Sequence, residues 1–150
     1  MDSSDNRSQT MDVLYTTTGT ATGGRDGHAA TRDGSLDVKL TAPKELGGPG
    51  GEGTNPEQLF ACGYSACFLG AMQFAGGQAG IQVPADTKVT ADVALGKRDD
   101  GQGFAIGVDL SVELPGVDRA DAEKLVEAAH VVCPYSYATQ GNIDVTTTIA

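Results

Sequence analysis

The longest helical pattern in the sequence lies over residues 54–74 and is apolar most of the way round. Thr54 can cap this helix, and Glu57 lies at the capping-box distance from it. Small or apolar residues then recur at spacings of three and four: Leu59, Gly63, Cys67, Gly70 and Phe74. A helix that is apolar most of the way round is expected to be buried rather than to lie on the surface. The pair Gly76 and Gly77 is expected to end the helix.

Short strands are predicted before this helix, between Met11 and about Leu40. Val13 and Tyr15 alternate with polar residues in the first strand, and apolar residues alternate again over residues 36–40. Glycine-containing pairs between these segments are typical of turns. The glycine- and proline-rich stretch that follows, up to the helix, is predicted to be a surface loop.

The clearest β-hairpin follows the helix. Apolar residues alternate over residues 89–95 and again over residues 104–114, with the turn sequence DDGQG between them. Asp118 can cap a second helix that runs to about Val132, and a last strand is predicted over residues 143–149. This order of elements predicts an α+β domain with an antiparallel sheet and argues against a doubly wound parallel fold.

Length and composition limit the possible functions. The chain has 150 residues, so a single domain over residues 11–150 is expected, after a disordered N-terminal tail at residues 1–10. A net charge of −10 disfavours nucleic-acid and membrane partners. The absence of an apolar run of about 18 residues excludes a spanning helix. We also find no targeting segment, so a cytoplasmic location is expected.

Three cysteines carry most of the candidate chemistry. Their odd number, at Cys62, Cys67 and Cys133, does not resemble a secreted disulfide framework and favours a reducing compartment. In that setting a thiol pair indicates catalysis or redox exchange, although two buried cysteines acting as small hydrophobes remain an alternative. Cys62 is about 140° around the helix from Cys67, so it is expected to fill the core. A zinc site is disfavoured because His130 and Cys133 supply only half a ligand set.

Two long strings resemble the organic hydroperoxide resistance proteins of the OsmC-like superfamily. They are GTNPEQLFA continuing through GYSACF, at residues 53–61 and 63–68, and HVVCPYS at residues 130–136. The resemblance extends from Met11 to Ile149 and includes GGRDG at residues 23–27. Within the superfamily, the Cys-Pro-Tyr-Ser string points to the hydroperoxide resistance branch.

The resemblance implies a fold, an activity and a site. The expected fold is OsmC-like, with antiparallel sheets around central buried helices in an intertwined homodimer. The expected activity is that of a thiol peroxidase without metal, haem or other cofactor, in which Cys67 is the peroxidatic thiol and Cys133 the resolving thiol. Arg25 and Glu57 match the active-site arginine and glutamate of the family. Organic or fatty-acid hydroperoxides would be the substrates, and lipoylated proteins would supply the reductant.

The residues themselves agree with what such a site requires. Burial on an apolar helix raises the pKa of a thiol, yet only the thiolate attacks a peroxide, so a cation must lie beside Cys67. Arg25 is the candidate, with the Glu57 carboxylate binding one edge of its guanidinium. The alternatives are a solvated arginine on a glycine-rich turn and a glutamate that only caps the helix.

The spacing of Glu57 and Cys67 predicts a shared or bridged site. Ten residues separate them on one predicted helix, a rise of about 15 Å. We therefore expect Glu57 either to act through Arg25 or to reach a Cys67 of the partner subunit. His28 and His130 are expected to be structural, although His130, one turn before Cys133, could tune that thiol.

The aromatic residues of the helices are expected to form core or pocket wall; they are Phe60, Tyr64, Phe68, Phe74 and Tyr135. An apolar pocket would favour hydroperoxides with organic tails.

The sequence thus predicts a dimeric cytoplasmic hydroperoxide reductase that protects against oxidative stress. A non-catalytic protein that binds a small ligand and a general thiol–disulfide exchange protein are the alternatives.

Overall fold

The computed structural model describes residues 11–150, and the predicted tail at residues 1–10 lies outside them. The chain divides into two compact units, the first ending at Asn55 and the second spanning Pro56–Ala150. Helices and sheets follow one another along the chain as an α+β fold, as predicted from the order of elements. The placement of all of residues 11–150 in one domain stays a prediction.

The first unit contains a three-stranded antiparallel sheet. Its strands are β1 (Gly19–Thr22), β2 (His28–Thr31) and β3 (Asp37–Lys39), in that spatial order. The turn between β1 and β2 needs glycine, because Gly23 and Gly24 both have positive φ values, of 76° and 61°.

The predicted strand at Val13 and Tyr15 is wrong. No strand includes these residues, and both side chains are exposed. Alternating apolar residues indicate a strand only where one face of that strand is buried, and these two side chains have no buried face.

The second unit packs helices on a three-stranded sheet. The helices are α1 (Pro56–Ala79), α2 (Arg119–Val132) and α3 (Pro134–Thr139); the strands are β4 (Lys88–Lys97), β5 (Phe104–Glu113) and β6 (Val145–Ile149). The predicted hairpin is confirmed as β4 and β5, which pair in an antiparallel ladder from end to end. Helix α1 packs on β4, on α2 and on α3.

The core of the second unit lies between α1, α2 and β5. Its fully buried members are Tyr64, Phe68 and Met72 from α1, Leu110 and Val112 from β5, Leu125 and Ala129 from α2, and Cys133. The start of α2 is fixed as the sequence predicts, because Asp118 accepts a hydrogen bond from the backbone N–H of Asp121 at 2.8 Å.

The expectation of purely antiparallel sheets is wrong for the last strand. Strand β6 pairs with β5 in parallel, so this sheet is mixed. A parallel pair needs a long crossover, and α2 together with α3 provides it. The sequence analysis did not predict α3; Pro134 ends α2 but is well placed in the first turn of a new helix.

Helix α1 differs from its prediction in two respects. It continues through Gly76 and Gly77 to Ala79, and its buried residues form a single stripe rather than a complete circumference. The alanine- and glycine-rich remainder of its surface faces outward in the single chain.

Among the helices of residues 11–150, only α1 is long and apolar enough to cross a bilayer. Its apolar window has a mean hydropathy of 1.3, so the exclusion of any spanning helix from the sequence is wrong by this criterion. Core helices of globular proteins meet the same criterion. Helix α1 has such a buried stripe, which includes Met72, Ala75 and Gly76.

Candidate active site

The structure brings Cys67 and Cys133 together. Cys67 lies in the middle of α1, and Cys133 lies at the corner where α2 ends and α3 begins. Their sulfur atoms are 3.5 Å apart, and the Cys133 thiol donates towards Cys67. A disulfide bond is about 2.05 Å long, so the two thiols are reduced but need move only about 1.5 Å to join. Two sulfurs 66 residues apart in sequence are therefore in contact.

The corner that holds Cys133 is built from backbone hydrogen bonds on both sides. The Cys133 N–H donates to the Ala129 carbonyl at 2.8 Å and closes the last turn of α2. The Cys133 carbonyl accepts from the Tyr137 N–H at 3.0 Å and opens α3. Pro134, between them, offers no N–H and so fits the first position of α3. Cys133 is completely buried, whereas Cys67 is partly exposed.

The surroundings of Cys67 act on its pKa in opposite directions. Burial raises the pKa of the Cys67 thiol, and the hydrogen bond and charge of Cys133 raise it further. A hydrogen bond from the backbone of Tyr135 lowers this pKa. The net effect within the second unit is a raised pKa, so the thiolate needs further positive charge to be populated near neutral pH.

Aromatic rings form the wall beside the two sulfurs. Phe60, Tyr64 and Tyr135 pack with ring centroids 5.6–5.8 Å apart, and Phe68 continues the cluster 6.5 Å from Tyr64. Gly63 lets this wall approach α1, since a Cβ atom there would lie 2.9 Å from the Tyr135 hydroxyl. These four rings match the expected core and pocket wall.

A chain of hydroxyl groups and one imidazole lies behind the aromatic wall. The Ser136 hydroxyl is 2.7 Å from the Tyr64 hydroxyl and 2.9 Å from His130 Nδ1. His130 Nε2 is 2.8 Å from the Thr147 hydroxyl on β6. Burial lowers the pKa of His130, so the neutral ring is favoured. Neutral imidazole has one donor and one acceptor nitrogen, which satisfies both bonds in either tautomer.

Arg25 and Glu57 lie in different units. Arg25 is in the short 3-10 turn Gly24–Asp26 of the first unit. The Asp26 side chain fixes this turn, because it accepts a hydrogen bond from the Ala42 N–H at 3.0 Å. Glu57 is in the first turn of α1, ten residues before Cys67. Because α1 is continuous, the rise between Glu57 and Cys67 along the helix is about 15 Å. The roles predicted for Arg25 and Glu57 stay predictions.

Two sequence-based assignments near the site are wrong. Cys62 is exposed instead of filling the core, because the step from Cys67 carries it to the outer face of α1. There it lines a shallow apolar groove with Ala66 and Leu69. Phe74 is also exposed rather than part of the core.

The sequence analysis missed the hydroxyl chain. Ser136 belongs to the Cys-Pro-Tyr-Ser string, but a serine alone gives no sign of its partners. Its link to Tyr64 depends on how α3 packs on α1, which no local pattern reveals. Among residues 11–150, no three His, Cys, Asp or Glu side chains are grouped so that they could hold a metal ion.

Comparison with known proteins places this geometry in a family. Residues 48–148 match the OsmC-like protein family. The chain is 53% identical over 138 residues to the organic hydroperoxide resistance protein of Xanthomonas axonopodis pv. citri (strain 306), covering 92% of this chain and 96% of that one. The chain belongs to the OsmC-like family. The resemblance seen in the sequence is thereby confirmed.

Solved structures of this family share the fold. The organic hydroperoxide resistance protein OsmC of Legionella pneumophila, described as a predicted redox protein and regulator of sulfide bond formation, superposes with a TM-score of 0.87 at 45% identity. That comparison covers 93% of this chain and 99% of the other. The protein OhrB of Bacillus subtilis gives a TM-score of 0.83 at 44% identity, covering 92% and 100%. The OsmC-like relatives therefore support a role in organic hydroperoxide resistance.

Proposed function

We propose that this protein is a thiol peroxidase that reduces organic hydroperoxides to alcohols. The observation that carries the proposal is the 3.5 Å separation of the Cys67 and Cys133 sulfurs in a corner walled by aromatic rings. The names of the relatives support the substrate class, because several are organic hydroperoxide resistance proteins. An apolar wall favours peroxides with organic substituents over hydrogen peroxide.

The first step takes place at Cys67, which is the more accessible of the two thiols. Its thiolate attacks one peroxide oxygen, the O–O bond breaks, and the alkoxide leaves and takes up a proton to become the alcohol. Sulfur is oxidised to sulfenic acid, and the peroxide is reduced. In this proposal the Arg25 guanidinium stabilises the thiolate and Glu57 orients that guanidinium, within one chain or across a homodimer.

The second step joins the two cysteines. The Cys133 sulfur attacks the Cys67 sulfenic acid, a disulfide forms, and the hydroxyl group leaves as water with the Cys133 proton. Closing the disulfide protects Cys67 from further, irreversible oxidation. A dithiol then reduces the bond through a mixed disulfide, and both cysteines return to thiols as the dithiol becomes a cyclic disulfide. We propose a lipoylated protein as that reductant, with no bound cofactor.

The cellular setting completes the proposal. We infer a homodimer in the cytoplasm, where a reducing environment restores the thiols. The net charge of −10 supports the exclusion of nucleic acid and anionic membrane as partners.

The direct test is the consumption of cumene hydroperoxide and tert-butyl hydroperoxide with dihydrolipoamide or a monothiol as electron donor. We expect turnover with the dithiol and its abolition in Cys67→Ser. In Cys133→Ser we expect a Cys67 sulfenic acid that a second equivalent of peroxide converts into sulfinic acid. Cys62→Ser is the matched control, because this exposed thiol takes no part, and it should keep full activity. Absence of turnover with any dithiol would refute the proposal. Disulfide exchange without peroxide consumption would instead favour a general thiol–disulfide exchange protein, which the same sulfur pair could serve.

A further inference from the structure

Two short contacts, one between hydroxyl groups and one between sulfurs, connect α1 with the Cys133 corner and α3. Tyr64 lies one turn before Cys67 on α1, and Ser136 lies one turn after Cys133 on α3. Their hydroxyl oxygens are 2.7 Å apart, while the sulfurs are 3.5 Å apart. The hydroxyl bond and the sulfur contact thus form two adjacent links between α1 and the Cys133 corner.

The Ser136 hydroxyl also connects to the other side of Cys133. It is 2.9 Å from Nδ1 of His130, which lies one turn before Cys133 on α2. The bond between His130 and Ser136 therefore spans the corner in which Cys133 sits, and His130 is held in turn by Thr147 on β6. The side-chain oxygen of Ser136 thus contacts both α1 and α2.

Burial makes these bonds consequential. Tyr64 and Cys133 are completely buried, and Ser136 is 3% exposed. Losing a partner costs more free energy for a buried hydroxyl than for an exposed one, so the network resists opening. The sulfurs need approach by only about 1.5 Å to bond, a shift small enough for the hydroxyl bonds to persist.

We propose that Ser136 is a positioning residue for disulfide formation, and that its bond to the Tyr64 hydroxyl holds the Cys133 sulfur within reach of Cys67. Holding two thiols together in the reduced protein lowers the entropy lost when they join. By linkage, a contact that holds the sulfurs together stabilises the disulfide relative to the dithiol. The role assigned to Ser136 rests on the proposed function only for its effect on peroxide turnover; the effect on the disulfide itself is independent of it.

The test measures the disulfide equilibrium without peroxide. In a Cys62→Ser background, the protein is equilibrated in glutathione buffers, where oxidised glutathione takes up two electrons to give two reduced glutathiones as the Cys67–Cys133 bond forms. Free thiols are then alkylated and counted by mass spectrometry. We expect Ser136→Ala and Tyr64→Phe each to lower the equilibrium constant for the disulfide by about three- to tenfold, the factor that one net hydrogen bond represents.

A double variant and two matched controls separate positioning from general loosening. Ser136→Ala removes the bonds to both Tyr64 and His130, and Tyr64→Phe removes the first of them, so the double variant should lower the constant by less than the two single decreases multiplied together. Tyr137→Phe, on the exposed side of α3, and Ser111→Ala, on the exposed face of β5, should leave it unchanged. Tyr64→Phe keeps the buried ring, so it carries the test if Ser136→Ala does not fold by circular dichroism.

The outcomes distinguish this proposal from that of the peroxidase. A constant within twofold of the parent protein in folded Tyr64→Phe, or an equal decrease in Tyr137→Phe, overturns the positioning role whatever the peroxide assay gives. A lowered constant in a protein that does not consume peroxide supports the positioning role and refutes the peroxidase. If both hold, Ser136→Ala should also accumulate over-oxidised Cys67 at peroxide doses that the parent protein survives.

Discussion

Among single residues, Cys67 combines conditions that work against each other. Burial and the neighbouring Cys133 raise the pKa of its thiol, and only the backbone hydrogen bond of Tyr135 acts in the opposite direction. Within the second unit the neutral thiol is therefore favoured, whereas nucleophilic attack on a peroxide needs the thiolate. None of these contacts is with a cation, so the proposed reaction at Cys67 requires a positive charge in addition to them.

We predict that Arg25 supplies that charge. In the proposed site Arg25→Gln removes the positive charge that stabilises the thiolate, so it should raise the apparent pKa of Cys67. A higher pKa leaves less thiolate, so alkylation of Cys67 by iodoacetamide at pH 7 should slow about tenfold while the rate at high pH stays the same. Peptide mapping after timed quenching in a Cys62→Ser background measures this rate across pH. Arg119→Gln, at an exposed arginine paired with Glu123, is the control, and coincident pH profiles for Arg25→Gln and the parent protein would exclude the role.

His130 makes the stability of the second unit depend on pH. Burial lowers the pKa of His130 in the folded protein, so the unfolded chain binds the proton at the higher value. The unfolding free energy should be complete above about pH 6.5 and should decrease as the pH falls from there through the lowered folded pKa. The loss should stay below about 1 kcal/mol, because the ring is only partly buried and water screens its charge.

Urea denaturation at pH 7.5 and pH 5.5 tests the dependence on His130. His130→Gln should show a smaller decrease between the two pH values than the parent protein, whatever its absolute stability. His28→Gln is the matched control, since His28 is exposed and pairs with Asp37 in the other unit. A decrease as large in His130→Gln as in the parent protein would assign the pH dependence to other groups.

At the level of whole elements, the end of α1 depends on packing rather than on helix propensity. Gly76 is buried inside the helix, where a Cβ atom would lie 2.5 Å from the Ile81 carbonyl oxygen and 3.3 Å from Leu125. Gly77 is exposed and has open space at the same position. The helix ends only at Gly80, whose φ of 73° suits the left-handed residue after a helix. Close packing therefore requires glycine at position 76, whereas the space around position 77 would accept a side chain.

The two glycines should therefore respond oppositely to alanine. Gly76→Ala should destabilise the protein by about 1–3 kcal/mol, because a methyl group directed at a backbone carbonyl forces the turn at Ile81 to move. Gly77→Ala should stabilise it by up to about 1 kcal/mol through helix propensity alone. Urea denaturation of both variants measures the difference. Equal changes in the two variants would show that close packing at Gly76 does not control this end of the helix.

The same contrast explains how much of the fold the sequence reveals. The hairpin of β4 and β5 and the start of α2 at Asp118 follow from local signals, a period of two and a capping side chain. The length of α1 does not, because a glycine pair has the same local preference whether it ends a helix or packs inside one. The parallel pairing of β6 also has no local signal, since alternation shows which face is buried but not the direction of the neighbouring strand.

The candidate site divides in the same way. Cys67 and Cys133 were named from the long strings around them, and their meeting required two helices to pack in one register. The contacts of Ser136 with Tyr64 and His130 are long-range, and no spacing in the sequence encodes them. Residue types can thus be predicted from motifs, whereas the hydrogen bonds that fix their distances come only from tertiary packing.

For the whole molecule, the outward face of α1 has the most consequence. It exposes Cys62 and Ala66 in a groove that is mostly apolar, and Phe74 is exposed nearer the C-terminal end of the helix. Such a face is more typical of a subunit contact than of free surface, which supports the proposed homodimer. In a homodimer, Glu57 of one chain could serve the Cys67 of its partner.

Mixed dimers test this cross-chain arrangement. Glu57→Ala and Cys67→Ser subunits are each expected to be inactive alone. Refolded together, they should recover about a quarter of the parent activity or less if the site crosses chains. About half of the dimers are then mixed, and only one of the two sites in a mixed dimer holds both side chains. Co-refolding each variant with itself is the control. Recovery no greater than that control would place Glu57 and Cys67 in one chain.

The unequal exposure of the two sulfurs has a consequence for the direction of electron flow. Cys133 is completely enclosed, whereas Cys67 reaches the surface. A reductant as large as a protein can approach only the outer sulfur, so the transient bond between donor and protein should form at Cys67 and release Cys133 first. In the proposed cycle, peroxide and reductant would therefore meet the protein at the same sulfur, so a bound donor would exclude incoming peroxide.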